Sequence, residues 1–182
     1  MKALICSDIH GDLDSLKAVL EVYEREGCEK LLILGDILYH GPRNDLPPTY
    51  APKKVIGLLN PLKDSIIAVR GNCDAEVDQM VLDFPIMDDF KRLDLDGLNI
   101  FMTHGHRYNT DTAEAYKKGE ILLHGHTHLL ACVRFGDENV YINPGSVSIP
   151  KGGNPKSFIL YSDRIFTTVT PDGRVIDKVD FN

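Results

Sequence analysis

The chain has 182 residues, 43% of them apolar and 26% charged, and carries a formal net charge of −7. That length fits one domain over residues 1–182, enough to bury roughly 70% of the surface its unfolded form exposes, and the composition is that of a soluble globular protein. The acidic balance excludes the basic stripe that broad nucleic-acid binding needs, and no apolar run approaches the roughly 18 residues of a spanning helix.

The first strand-like run covers residues 3–6, which leaves no room for a signal peptide. Asp12 or Asp14 can then cap a helix with Leu13, Leu16, Leu20 and Tyr23 on one face and Gly27 as its stop. A strand over 30–34 completes a βαβ unit, expected to be right-handed. The stretch 40–52 carries Pro42, Pro47, Pro48 and Pro52 and reads as a loop, followed by a short helix over 53–60 that Pro61 ends. A third strand is expected over 66–69 and a short helix over 75–82. The runs 92–95 and 98–102 flank Asp96-Gly97, a strong hairpin signal. A polar helix over 111–118, stopped by Gly119, leads to a strand over 120–123. The runs 131–135, 140–142, 158–161, 165–170 and 175–180 read as further strands. This mix predicts two packed sheets with helices outside, a four-layer α/β/β/α sandwich.

The cysteines Cys6, Cys28, Cys73 and Cys132 are scattered with no C-x-x-C pair, so reduced thiols and a cytoplasmic location are expected. Cys6 and Cys132 read as small core residues.

Five short clusters hold residues able to bind metal: Asp8-Ile9-His10, Gly35-Asp36, Gly71-Asn72, His104-Gly105-His106 and His124-Gly125-His126-Thr127-His128. Each comes at or just after the end of an apolar run. Open α/β sheets bind ligands beyond the carboxyl ends of their strands, so strands that end together would gather all five on one rim. Carboxylate oxygen with imidazole nitrogen suits Mn²⁺, Zn²⁺, Fe²⁺ or Co²⁺, and the near absence of thiolate argues against a structural zinc. Asp8 and His10, like His126 and His128, stand two apart and point to one side of an extended segment. Two bound dications would bring the charge from −7 to about −3.

The ordered set Asp8-x-His10, Gly35-Asp36, Gly71-Asn72, His104 and Gly125-His126-x-His128 resembles the signature of the calcineurin-like metallophosphoesterases. Ser7–Gly11, His40–Asn44, Val69–Asp74 and Asn143–Pro155 bring the resemblance closer to the small bacterial phosphodiesterases of the YfcE type, over essentially the whole chain. The resemblance implies two metals, one held by Asp8, His10, Asp36 and His128, the other by Asp36, Asn72, His104 and His126, with Asp36 bridging. Such pairs stand roughly 3.5–4 Å apart and clamp an in-line displacement at phosphorus, attacked by a solvent oxygen shared between the ions. Mn²⁺ is the first expectation, with Zn²⁺, Fe²⁺, Co²⁺, Ni²⁺ and Mg²⁺ compatible.

Many family members have histidine directly after the Gly-Asn, assigned to the leaving group. Here that residue is Cys73, a poor substitute for imidazolium. His106 is a candidate proton donor or a partner of its own loop, His124 a buried support, and Arg43 a candidate grip on phosphate. The expected activity is hydrolysis of a small soluble phosphodiester. A phosphomonoesterase, a cyclic-nucleotide phosphodiesterase and a non-catalytic scaffold like the eukaryotic retromer subunit are the alternatives. Neither a membrane nor extended nucleic acid is an expected partner, and homo-oligomerisation is left open.

Overall fold

The computed structural model describes residues 1–136 and 138–182. In chain order its elements are β1 (Ala3–Cys6), α1 (Leu13–Arg25), β2 (Lys30–Ile33), α2 (Pro52–Leu59), β3 (Ile66–Ala68), α3 (Glu76–Gln79), β4 (Phe90–Leu95), β5 (Leu98–Thr103), β6 (Ile121–Leu123), β7 (Leu130–Phe135), β8 (Asn139–Pro144), β9 (Phe158–Ser162), β10 (Ile165–Val169) and β11 (Val175–Asp180). They form two mixed sheets, a six-stranded one ordered β11-β10-β9-β1-β2-β3 and a five-stranded one ordered β4-β5-β6-β8-β7. At the heart of the first, β1, β2 and β3 run parallel. At the heart of the second, β5, β6 and β8 do the same.

Alternation along the strands assigns each side chain to a layer. Leu4, Cys6, Leu31 and Ile33 face outward onto Leu16, Val19, Leu20 and Tyr23 of α1 and Val55 and Leu59 of α2. Ala3, Ile5 and Leu32 face inward and meet Ile100, Met102, Ile121, Leu123 and Ile142 of the other sheet. The inward layer is the larger constraint on function, because it fixes how the two strand-end rims meet. Each fully buried leucine, isoleucine or valine there contributes about 1.5–3 kcal/mol.

Several local expectations shift. Asp12 occupies the N-cap position of α1 without capping it, because its carboxylate accepts from Ser15, Thr49 and Lys156 instead. The helix expected over 53–60 appears as α2, Pro52–Leu59, and ends before Pro61, which sits in a following 3₁₀ turn over Asn60–Leu62. The helix expected over 75–82 shortens to the four residues of α3. The polar helix expected over 111–118 is one 3₁₀ turn, Ala113–Ala115. Thr112 and Asn109 hydrogen-bond to each other's loop and to Tyr116, which competes with helical pairing. The outer layer over the second sheet is therefore thin, with Tyr108 and Tyr116 packed on Phe101, Leu122 and Tyr141. The Asp96-Gly97 hairpin appears as read, both residues at positive φ of 52° and 82° as a type I′ turn requires.

Cys6 is buried and Cys132 half-buried, and all four cysteines are free thiols. Among the described residues no helix is long and apolar enough to cross a membrane.

Candidate metal centre

The loops that leave β1, β2, β3, β5 and β6 are laced together at one rim. The Asp8 N–H donates to the Gly35 carbonyl (3.2 Å), His10 N–H to Asp36 (2.9 Å) and Gly125 N–H to His104 (3.0 Å). Asp8, His10, Asp36, His126 and His128 have φ of 58°, 49°, 55°, 63° and 59°. Non-glycine residues seldom adopt this left-handed backbone, and it persists where the surroundings over-determine it, most often at functional sites. Sharp exits of this kind turn each side chain back over the strand ends.

Two glycines make room for the carboxylates. A Cβ on Gly71 would fall on Oδ1 and the backbone nitrogen of Asp36, and a Cβ on Gly125 would meet Ser7 Oγ and Asp8 Oδ2.

The gathered atoms are of the kinds that can ligate a metal ion. Nε2 of His128 lies 3.1 Å and Nε2 of His10 3.6 Å from Asp8 Oδ1, and the two Nε2 atoms are 3.4 Å apart. Asp36 Oδ2 stands 3.7 Å from His10 Nε2 and 3.4 Å from His104 Nε2, between the two groups. Asn72 Oδ1 is 3.0 Å from His104 Nε2. The His126 ring packs against His104 with centroids 5.0 Å apart, and its backbone N–H donates to Asp8 Oδ2 at 3.1 Å. All seven residues singled out in the sequence are thus brought to one place. Cys73 Sγ also lies within 4.8 Å of ligand atoms of His10 and Asp36.

The supporting bonds fix how the rings present themselves. Nδ1 of His10, His104 and His128 faces the carbonyl of Tyr39 (2.7 Å), Leu34 (2.6 Å) and Ile149 (2.7 Å) respectively. Each Nδ1 therefore carries its proton to a carbonyl and aims the Nε2 lone pair at the centre, the arrangement typical of metal-ligating imidazole. Lone pairs and carboxylates facing one another at 3–4 Å need a positive charge between them. Without metal, protons serve. Burial opposes charge on His104, but its bond to Asp36 and the charges of Asp8 and Asp36 hold it up at about 9. Burial likewise opposes charge on Asp8, yet the imidazoles of His10, His128 and His104 hold its carboxyl well below the usual range. Asp8 Oδ1 is buried and accepts no well-formed hydrogen bond among the described residues. This orphaned oxygen within a ring of nitrogen and oxygen donors fits a divalent cation, which would displace the protons on binding.

Several supports were not legible beforehand. The Asp74 carboxylate accepts from the backbone N–H groups of Asp36 (2.8 Å), Ile37 (2.9 Å) and Gly71 (2.7 Å), clamping two of the ligand loops. Burial and the Asp36 charge push its pKa up to about 6. Ser146 and Ser148 both donate to the Asp8 carbonyl (2.9 and 2.7 Å). The two N–H groups of Asn143 Nδ2 are shared among Gly125 O, Thr127 Oγ1 and Tyr141 OH, all within 3.0 Å, and its Oδ1 accepts from Gly145 N–H, so it holds the loop that carries His126 and His128. The sequence signal was their place in the segments 69–74 and 143–155, which run from the ends of β3 and β8 on the same rim.

The remaining candidates divide. His124 is buried and stacked on Tyr141 at 4.1 Å, and burial lowers its pKa to about 4, so it is a neutral support. His106 lies 5.4 Å from His104 and 6.2 Å from His126, ring to ring, and makes no Nδ1 bond to its own loop. Burial and its two histidine neighbours lower its pKa to about 4. Burial and the charge of Asp36 push the Cys73 thiol well up, so it stays protonated. Arg43 and Lys151 line the mouth of the cleft over the centre, a space of about 630 Å³ that also contains Tyr39, Asn44 and Thr127.

A family model described as a calcineurin-like phosphoesterase superfamily domain matches residues 1–163. The chain is 46% identical over 183 aligned positions to phosphodiesterase YfcE of Escherichia coli, covering 100% of this chain and 99% of that protein. It is 28% identical to a phosphodiesterase of Methanocaldococcus jannaschii, covering 90% of this chain and 95% of that one. The solved structure of the E. coli phosphoesterase superposes with a TM-score of 0.95 at 44% identity over 100% of both chains. A zinc complex of Vps29 from Entamoeba histolytica shares the fold alone, with a TM-score of 0.65 at 21% identity over 100% of both chains. Signature, rim geometry and matched model agree: the chain belongs to the calcineurin-like phosphoesterase superfamily.

Proposed function

We propose that residues 1–182 act as one metallophosphoesterase domain, a cytoplasmic metal-dependent phosphodiesterase that hydrolyses small soluble phosphodiesters. Asp8, His10, Asp36 and His128 would hold one dication and Asp36, Asn72, His104 and His126 a second, with Mn²⁺ the first candidate. When bound, such a pair supplies an acidified water for in-line attack on phosphorus and neutralises charge on the phosphoryl oxygens. The chain's own residues do the rest. Nδ1 bonds to carbonyls keep His10, His104 and His128 in the ligating tautomer. Arg43 and Lys151 at the cleft mouth offer positive charge to an entering phosphoryl group. Cys73, held as a neutral thiol, packs against the site without acting as a nucleophile. His106, beside His104 and His126 but neutral because burial and those neighbours lower its pKa to about 4, supports the rings and is not the acid for the departing alcohol.

The observation that supports this most is the convergence of three Nε2 lone pairs on the Asp8 and Asp36 carboxylates, with Asp8 Oδ1 unpartnered. The kinship with named phosphodiesterases at 46% and 28% identity favours diesters over monoesters. The test is hydrolysis of bis(p-nitrophenyl) phosphate and p-nitrophenyl phosphate by chelator-stripped protein with Mn²⁺, Zn²⁺, Mg²⁺ or nothing restored. Metal-dependent turnover favouring the diester is expected. No turnover with any metal, despite two bound ions, would give the fold a binding role instead.

A further inference from the structure

Two cavities meet at a wall made by Tyr39 and Cys73. On one side lies the polar cleft over the ligand cluster. On the other lies a groove of about 510 Å³ whose apolar lining includes Leu38, Tyr50, Ile56, Val77 and Val81. We propose that this groove seats one apolar ester arm of the substrate, so that the enzyme acts on phosphodiesters carrying an alkyl or aryl group. This inference rests on the phosphodiesterase reading above.

The wall ties the groove to the reacting end. The Tyr39 carbonyl receives the Nδ1 proton of His10, and the Cys73 N–H donates to Asp36 Oδ1 at 2.8 Å. Each wall residue is therefore one hydrogen bond from a proposed metal ligand, and the groove keeps a fixed place relative to the phosphoryl group. A diester whose phosphorus sits at the cluster can send an arm over the wall only past the Tyr39 ring and the neutral Cys73 thiol.

The lining decides what that arm is. Val77 and Val81 remain 64% and 42% exposed, and the Tyr39 side chain is 41% exposed, so apolar surface stands in water that an apolar arm would displace. The charged groups of the groove are Lys53 and Asp78, and Asp78 already accepts the Ala75 N–H at 2.9 Å. A sugar or a base needs convergent polar partners to repay its desolvation, and the groove offers few. Its volume lies within the range of small-molecule sites, large enough for a chain of several carbons or one aromatic ring. Arg43 and Lys151 keep the charge recognition in the polar cleft, which separates a head subsite from a tail subsite.

The experiment is calorimetric titration of the Mn²⁺-loaded protein with n-alkyl monophosphates from methyl to hexyl, and with inorganic phosphate. Each methylene that is fully buried tightens binding roughly fourfold, so hexyl phosphate should bind at least ~20-fold tighter than methyl phosphate. In the double variant Val77→Ser, Val81→Ser, whose positions are exposed enough to leave folding intact, the series should flatten to within about threefold while phosphate binding stays within about twofold. A flat series in the unaltered protein would overturn the proposal, as would an unchanged slope in the variant. So would a fall in particle mass by light scattering when the valines are replaced, which would give the groove to a second copy of the chain. The titration needs no turnover, so failure to hydrolyse bis(p-nitrophenyl) phosphate would sink the phosphodiesterase reading while the groove is still decided.

Discussion

Gly71→Ala isolates the close approach on which the bridging position depends. The backbone of Gly71 lies outside the left-handed region, so alanine suffers no conformational strain there. Taken alone, a Gly→Ala change at a compatible position stabilises by about 0.4–1 kcal/mol through the unfolded chain. Space opposes it. The new Cβ would come within 2.9 Å of Asp36 Cγ and nearer still to Oδ1 and the backbone nitrogen, where ordinary contacts begin at 3.4 Å. Asp36 cannot retreat freely, because its N–H is held by Asp74 at 2.8 Å and its own φ is 55°. Either the loops after β2 and β3 part or the carboxylate swings away. Overpacking of this kind costs about 1–3 kcal/mol, and displacing a catalytic group by an ångström costs roughly 100-fold in rate. Net of the unfolded-chain gain the cost is up to about 2.6 kcal/mol, so with a slope of about 2 kcal/mol per molar urea the unfolding midpoint should fall by up to about 1.3 M. The Mn²⁺-supported kcat/KM for bis(p-nitrophenyl) phosphate should drop at least ~100-fold. A variant within threefold of the parent, with an equal or higher midpoint, would refute the argument and leave Gly71 as an ordinary turn residue.

Asp36→Asn should abolish turnover, by about 1,000-fold or more, with the circular-dichroism spectrum unchanged; metal-replete protein that still turns over would remove Asp36 from the bridge. Cys73→Ala should change kcat by less than about tenfold, and a loss of several orders of magnitude would give the thiol a chemical role. Asn143→Ala removes the amide that ties Gly125 and Thr127 beside His126 and His128 and should weaken Mn²⁺ binding about 10–100-fold, as loss of supporting bonds does at metal sites, read by calorimetry. Saturating Mn²⁺ at about 1,000 times its Kd should stabilise the fold by about 4 kcal/mol. That corresponds to a rise in Tm of roughly 8–16 °C over chelated protein, and equal melting temperatures would show that no ion binds the folded state preferentially.

The centre was the most legible part of the sequence because each proposed ligand follows a short apolar run that reads as a buried strand. Asp8, Asp36, Asn72, His104, His126 and His128 could be placed on one rim before any geometry was known. The hairpin at Asp96-Gly97 was equally plain, since its backbone demands are local. What stayed hidden was decided by contacts distant in sequence. Asp12 looked like a helix cap but is drawn to Thr49 and Lys156. Residues 111–118 carry helix-tolerant composition, yet Asn109 and Thr112 spend their polar groups on the loop itself. Asp74, Asn143, Ser146 and Ser148 lie in segments that carry the family resemblance, but their part in holding the ligand loops appears only when the backbone groups they serve are in place. The apolar groove beside Tyr39 was invisible because it joins α2, α3 and the loop after β2.

The proposed ligand cluster joins the ends of β1–β3 to those of β5 and β6, strands far apart along the chain. His10 and His128 face each other across 118 residues of sequence, as do Asp8 and His126. A growing polypeptide that has finished β1, β2 and β3 therefore owns only half a clamp, four acidic and polar ligands without the three histidines that follow. On the proposed ligand set, high-affinity ion capture would wait until β5 and β6 have docked on that first half. Loading with metal would in this sense be a late checkpoint on synthesis, reporting that the strand ends of β1–β3 and of β5 and β6 have found each other in register.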